Sequence, residues 1–341
     1  MQVPRVAVVI LNYNGKDWLR QFLHGVMATD YEQLEVIVAD NASTDESVSW
    51  LQEVFPELRL ILLQKNYGFA EGYNLALAQV QAEYFVLLNS DVKVESDWLR
   101  PIIAYMESDD TIGACQPRIL SFHQPNYFEY AGAAGGWIDV LGYPFARGRV
   151  MDTMEPDKGQ YSDSSSIFWA TGAALCVRAT AWKIARGFDS TFFAHQEEID
   201  LCWRLQLLGY EIRVCGASRV YHVGGGTLPV GPRKTYLNFR NNLLMLGKNL
   251  VVSEQCYIIP IRLVLDGVAV LRALIKGRVG ESRAIIQAHC FVFSWWIRGK
   301  NKSSKGRKPI RQLEGVYSGW LLIDYFIRGK KLFSEIIQKI G

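Results

Sequence analysis

Four short apolar runs, each followed by a turn rich in Asn, Asp or Gly, constrain this chain more than any other feature. Residues 6–11 form a continuous run with β-branched side chains. Asn12-Tyr13-Asn14-Gly15 then supplies a turn, and residues 18–27 take helical spacing. Residues 34–39 read as a second strand, with Asn41-Ala42-Ser43-Thr44-Asp45 as a turn and cap before a helix over 46–55. A third strand is expected over 58–63, followed by Gly68, Gly72 and a helix through Val80. A fourth covers 84–88 and ends at Asn89-Ser90-Asp91. Strands separated by helices of this length predict an α/β fold, a mostly parallel sheet with helices on both faces. Such sheets bind ligands at the carboxyl ends of their strands. That is where the unusual polar residues fall.

A length of 341 residues predicts one large domain with an appendage, or two domains. Residues 1–5 lead directly into the first expected strand, with no signal-peptide pattern. Cys115, Cys176, Cys202, Cys215, Cys256 and Cys290 are scattered singly, which suits a reducing compartment and packing roles. The net charge of +3 conceals an asymmetry, with residues 1–250 at −7 and residues 251–341 at +10. The expected organisation is therefore an α/β domain over 1–250 and a basic, apolar helical region over 251–341. The tail calls for an anionic partner surface.

Each polar group at the strand ends has two readings. Asp40 suits the hydrogen-bond donors of a nucleobase or ribose, or ordinary turn chemistry. Gly68 and Gly72, in the segment from Asn66 to Asn74, open a helix whose free N–H groups favour anions. Asn89 and Asp91 suit a divalent cation bound by oxygen, or a helix cap before Leu99. Downstream, Glu197, Glu198 and Asp200 sit at the start of an apolar helix. Simple helix capping explains them, and so does a general base whose proton affinity is raised by like charges. His222, ahead of the glycine run 224–226, is either structural or a further metal ligand.

Taken in order, these motifs resemble the family-2 glycosyltransferases with a GT-A fold, particularly the branch that makes rhamnan-, galactan- and O-antigen-type polymers. The resemblance rests on Asn12-Tyr13-Asn14, Asp40-Asn41-Ala42-Ser43-Thr44-Asp45, Asn66 with Gly68, Gly72 and Asn74, and Leu88-Asn89-Ser90-Asp91. It continues through Ala170-Thr171-Gly172-Ala173-Ala174, Gly187-Phe188-Asp189, the segment Glu197-Glu198-Ile199-Asp200, and Tyr221-His222. It implies a Rossmann-like GT-A domain, with Leu11, Asn12, Tyr13 and Asp40 holding the nucleobase and ribose. Asn66, Gly68, Gly72, Asn74, Asn89 and Ser90 would lie beside the nucleotide. Asp91 would bind Mg²⁺ or Mn²⁺ with His222 as a further ligand, and Gly172 and Ala173 would shape the acceptor side. The family's base maps onto Glu198, with Glu197 as the alternative. The implied reaction is inverting transfer from a UDP- or dTDP-sugar to a saccharide or lipid-linked acceptor in cell-surface polysaccharide synthesis.

The tail carries three apolar stretches. In residues 258–276 the charges Arg262, Asp266, Arg272 and Lys276 share one face at about 100° per residue, so an amphipathic helix is expected, not a membrane span. Residues 284–297 and 316–327 are each too short to cross a bilayer, and basic residues including Lys300, Lys302 and Lys305 border them. Such segments suit an anionic leaflet, or packing on the catalytic domain or a second subunit. The expected location is cytoplasmic, on the inner face of the cell membrane. Nucleic acid is excluded as a partner because the aromatics lie inside apolar runs. A homo-oligomer is left open. A dinucleotide-binding dehydrogenase is disfavoured, since no GxGxxG follows the first strand. The reading from another class is a catalytically silent paralogue that scaffolds a polysaccharide assembly complex.

Overall fold

In the computed structural model the described residues are 3–224, 231–299 and 306–337. Part of the glycine run after His222 and the tail lysines Lys300, Lys302 and Lys305 therefore lie outside them. The chain begins β1 (Val6–Asn12), α1 (Lys16–Met27), β2 (Leu34–Asp40), α2 (Ser47–Val54), β3 (Arg59–Leu62), α3 (Gly68–Leu77) and β4 (Tyr84–Leu88). All seven elements fall where the alternation of apolar runs and turns places them. Continuous β-branched runs need burial on both faces, and the parallel sheet covered by helices supplies it.

The middle of the chain is less regular. It contains β5 (Val92–Val94), α4 (Leu99–Glu107), β6 (Ile112–Ser121), β7 (Gly136–Asp139), β8 (Pro144–Ala146), β9 (Arg149–Val150), β10 (Thr153–Met154) and β11 (Ser165–Ser166). Then come β12 (Ala174–Arg178), α5 (Ala179–Ala185), α6 (Glu197–Leu207) and β13 (Glu211–His222). The main sheet runs β11-β13-β6-β12-β4-β1-β2-β3, with β5 paired to β13. Strands β4, β1, β2 and β3 are parallel to one another, while β12 is antiparallel to both β4 and β6. Register positions the site: Asn12 lies beside Asp40, and Ile10 beside Leu88. The polar residues beyond β1, β2 and β4 thus meet at one edge.

The C-terminal part contains α7 (Pro232–Asn249), α8 (Val252–Ile275), α9 (Val279–Ile297), β14 (Val316–Tyr317), α10 (Leu321–Phe326) and α11 (Phe333–Ile336). Strand β14 pairs in parallel with β7 and joins a second, small sheet ordered β10-β9-β8-β7-β14. Leu243 to Leu246 of α7, Ile258 of α8 and Trp295 of α9 share one core with the main sheet. The stretch 316–327 is a short strand followed by a short helix. Cys115, Cys176, Cys202 and Cys215 are buried, as packing roles require, whereas Cys256 and Cys290 are exposed.

Helix α8 has the expected periodicity but an unexpected orientation. Arg262 and Asp266 are 3% and 1% exposed, while Val264 and Ile275 are 70% and 87% exposed. Partners explain the inversion. Arg262 donates to the Leu141 carbonyl at 2.8 Å and lies over the Tyr143 ring, and Asp266 meets His289 of α9 at 3.0 Å. Among the described residues no helix is long and apolar enough to cross a membrane.

Candidate active site

The edge built by β1, β2 and β4 is a network of amides and carboxylates. The Asn12 side-chain amide donates to Asp40 Oδ1 at 3.0 Å and to Ser43 Oγ at 3.1 Å, and the Ser43 backbone N–H donates to Asp40 Oδ2 at 2.8 Å. Both Asp40 oxygens thus serve the turn, each with a lone pair remaining. Asn12 Oδ1 is buried and has no partner. Ser90 Oγ approaches the same point, since a Cβ on Gly15 would lie 2.5 Å from Asn12 Oδ1 and 3.4 Å from Ser90 Oγ. Tyr13 is half exposed beside them.

Buried Asn41 ties the next loop to this edge. It donates to Asn66 Oδ1 and to the Gly68 carbonyl, and it accepts from the Tyr67 N–H at 2.9 Å. Gly72 has no room for a side chain, because a Cβ there would sit 2.9 Å from Leu11. The expectation of free N–H groups at the start of α3 is not met. The Phe69 and Ala70 N–H groups both donate to the Phe193 carbonyl, at 2.7 and 3.1 Å. Asn74 is likewise committed to structure, its amide gripping the Phe188 backbone N–H and carbonyl at 2.9 and 2.8 Å.

Asp91 and His222, 131 residues apart, meet with Oδ1 and Nε2 3.1 Å apart. His222 Nδ1 lies 3.0 Å from Glu129 Oε2, a contact that no sequence signal announces. Burial lowers the affinity of this imidazole for its proton, but the hydrogen bonds and charges of Asp91 and Glu129 outweigh it and raise the pKa to about 10. Asn89 approaches the same ring at 3.5 Å.

Asn89, Glu129 and His222 line a cavity of about 440 Å³ with Gly172, Ala173, Glu197 and Glu198. The cavity thus joins the strand ends to the start of α6. Of the three acids there, Asp200 is spent on structure, bonded to Arg204 and Asn249 at 2.8 Å each. Glu197 and Glu198 differ from it: Oε2 of each is buried without a partner. Burial raises both carboxyl pKa values, Glu198 to about 7, and the neighbouring Glu198 charge pushes Glu197 further. Gly172 packs between them and the aromatic wall, its missing Cβ 3.2 Å from the Phe69 ring and 4.0 Å from the Glu198 side chain.

The turn that presents these acids is unusual. Phe193, His195 and Gln196 all have positive φ, between 63° and 71°, where residues other than glycine are strained. Arg240, Asn241 and Asn242 of α7 hold it. Arg240 donates to the Thr191 and Phe192 carbonyls, Asn241 to those of Phe192, Ala194 and His195, and Asn242 to Gln196 Oε1.

Residues 7–161 match the model of glycosyl transferase family 2. That match spans a little under half of the chain and coincides with the part that carries the strand-end motifs. The chain's relatives include the rhamnosyltransferase WbbL of Escherichia coli K12, 26% identical over 64% of this chain and 83% of that protein. The N-acetylglucosaminyl-diphospho-decaprenol L-rhamnosyltransferase of Mycobacterium tuberculosis is 25% identical over 65% and 77%. An uncharacterized Haemophilus influenzae glycosyltransferase is 29% identical, but the chain spans only 35% of its length. Similar solved structures include GalNAc-T7 with UDP, GalNAc and Mn²⁺, at TM-score 0.57, 14% identity and coverage of 74% of this chain and 49% of that one. S. aureus TarS with UDP-GlcNAc follows at 0.55 and 16%, covering 83% and 79%. These structures share the GT-A fold with this glycosyltransferase.

Two similar solved structures include Mn²⁺, so the fit of a cation to this site can be tested. Among the described residues no three His, Cys, Asp or Glu side chains form a ready metal cage. Asp91 Oδ2, however, is buried with no partner. One free carboxylate oxygen with an imidazole beside it suits a cation that takes its remaining ligands from a diphosphate and water. His222 would have to give up its Nε2 proton to join them.

Proposed function

We propose that this glycosyltransferase moves a sugar, with inversion, from a UDP- or dTDP-sugar to a saccharide or lipid-linked acceptor in cell-envelope polysaccharide synthesis. The observation that carries the reading is the pair of unpartnered carboxylates, Glu197 and Glu198, facing one cavity with Asn89 and the Asp91-bound His222. At the donor edge, the unpartnered Asn12 Oδ1 is an acceptor for an N–H on a pyrimidine edge, and Asp40 keeps lone pairs for ribose hydroxyls. Asp91 and His222 would hold Mg²⁺ or Mn²⁺, which when bound neutralises charge on the diphosphate.

Glu198 takes the proton of an acceptor hydroxyl. That oxygen attacks the anomeric carbon from the face opposite the leaving group, and the bond to the diphosphate breaks with its electron pair going to phosphate oxygen. The protein's part is positioning, proton removal and water exclusion. Gly172 leaves space for the acceptor beside Glu198. The exposed apolar sides of α8 and α9, bordered by Arg272, Lys276, Arg283 and Arg298, suit an anionic bilayer. Such docking, on the cytoplasmic face, would bring the cavity to a lipid-linked acceptor.

The test is thermal stabilisation by UDP, dTDP and their sugars with and without Mn²⁺, since a ligand of the native state raises its stability. A shift dependent on metal in the wild type, lost in Asp91→Asn, supports the donor site. No shift with any nucleotide in a folded sample overturns it.

A further inference from the structure

The cavity holds a cation for which the proposed chemistry has no use. Arg149 of β9 is 5% exposed, and its Nε is buried without a partner. Among the described residues no carboxylate or carbonyl receives its guanidinium. Its guanidinium lies over the Tyr130 ring, 4.0 Å from the centroid. Stacking on an aromatic face orients a guanidinium but leaves its N–H edge free.

An unpaired buried charge is costly, so such groups are retained where a ligand completes them. Among the described residues each other buried arginine reaches an acceptor through its guanidinium, although Arg262 Nε, like that of Arg149, has no partner. Arg147 has Asp163, Arg240 has two backbone carbonyls, and Arg262 has Asp266 and the Leu141 carbonyl. Position strengthens the contrast. Tyr130 follows Glu129, which bonds to His222, and Tyr130, Arg149 and His222 line the same cavity. Lys234, which also has no ion pair among the described residues, lines the same space, as does His195, whose Nε2 is buried and unpartnered.

We infer that Arg149 is an anion-binding residue of this cavity, its N–H edge donating to the phosphoryl oxygens of a bound diphosphate. The inference rests on the glycosyltransferase reading for what brings the phosphate. The guanidinium fork matches two such oxygens at once. The diphosphate has two sources: the donor nucleotide, or a lipid-linked acceptor.

The experiment measures equilibrium binding of inorganic pyrophosphate, UDP and dTDP to the full chain, at fixed free Mg²⁺, for wild type, Arg149→Gln and Arg149→Lys. Loss of a charge-assisted contact predicts pyrophosphate binding roughly 10- to 100-fold weaker in Arg149→Gln, with part retained in Arg149→Lys. An equal loss of UDP or dTDP binding assigns the donor's diphosphate. Unchanged nucleotide binding beside weakened pyrophosphate binding assigns the acceptor's. Pyrophosphate binding that depends on Arg149 with no nucleotide binding at all keeps the anion site and removes the glycosyltransferase reading. Equal pyrophosphate affinity in wild type and Arg149→Gln, or none in either, overturns the inference. Melting of the unliganded variants keeps this clear of folding defects: removing an unpaired buried charge leaves Tm unchanged or higher. A fall of many degrees with binding intact would mark a structural arginine and also overturn the inference.

Discussion

The side-chain amide of Asn241 donates to the His195 carbonyl at 2.7 Å, two residues before Glu197. Through this bond α7 fixes the strained turn from which α6 presents its acids. Each residue in such a conformation costs about 1–3 kcal/mol and persists only when its surroundings enforce it. Asn241→Ala would leave the carbonyls of Phe192, Ala194 and His195 short of a donor. The expected outcome is a fall in kcat of about 10- to 100-fold, since misplacement by 1 Å costs on that order. Nucleotide affinity should stay unchanged, because the donor edge is built by other strands. Steady-state kinetics beside nucleotide titration separates the two. An equal weakening of nucleotide binding would mean that Asn241 supports the whole fold.

As the proposed base, Glu198 should be far more sensitive than its neighbour. Glu198→Gln keeps size and packing while removing the proton acceptor, so transfer should fall by about 10²- to 10⁴-fold with nucleotide binding spared. Glu197→Gln should cost much less. If the larger loss follows Glu197, the roles are exchanged, since both Oε2 atoms are free of partners.

The same carboxyls make activity and stability respond to pH in opposite directions. Burial holds the Glu198 pKa at about 7, above that of an unfolded glutamate. The proton is therefore bound more tightly in the folded chain. The stability this contributes is complete below about pH 4.5 and is lost as pH rises through 7. At pH 8 the penalty from ionising such a group is on the order of 3 kcal/mol. Glu198→Gln should accordingly melt a few degrees higher than wild type at pH 8 and with little difference at pH 5. Transfer by the wild type should rise with pH across 6–8, as the base loses its proton. Melting and rate profiles that do not depend on pH over this range would show that Glu198 ionises freely in the fold.

What could be read from the sequence follows from which physical signals are local. Strands β1 to β4 were legible because each apolar run ends in turn residues and is followed by a helical pattern or a polar strand end, although only β1 and β4 are buried along almost their whole length. The meeting of Asn12, Asp40, Ser90 and Asp91 follows from parallel register alone. Antiparallel β12 and the small sheet that recruits β14 were not legible, because their short strands are not set in the regular alternation of apolar run, turn and helix that marks β1 to β4. Glu129 and Arg149 escaped notice for a related reason: each matters through one partner distant in sequence, His222 or Tyr130. On α8 the periodicity located the charged face correctly, yet periodicity cannot say which way a face points. Only Leu141, Tyr143 and His289 make the inward orientation of Arg262 and Asp266 affordable.

That inverted helix gives the last prediction. With Arg262 and Asp266 turned inward and Arg272 and Lys276 exposed, α8 leaves Val264, Val268, Leu271 and Ile275 outward, while α9 exposes Phe293 and Ile297. Exposed apolar surface of this kind marks an interaction surface. The basic residues around it favour an anionic bilayer over a neutral one. Burying apolar area contributes roughly 25 cal/mol per Å², so replacing two outward side chains by charged ones should remove most of the affinity without touching the core. Leu271→Glu with Ile275→Glu should therefore abolish sedimentation with vesicles containing phosphatidylglycerol, while Tm and nucleotide binding stay at wild-type values. Wild-type binding should also fall with added salt and be weak on vesicles of phosphatidylcholine alone. If the double variant still sediments fully, the membrane contact lies elsewhere on the chain. If instead a wild-type dimer in solution dissociates in the variant, this face packs against a second copy.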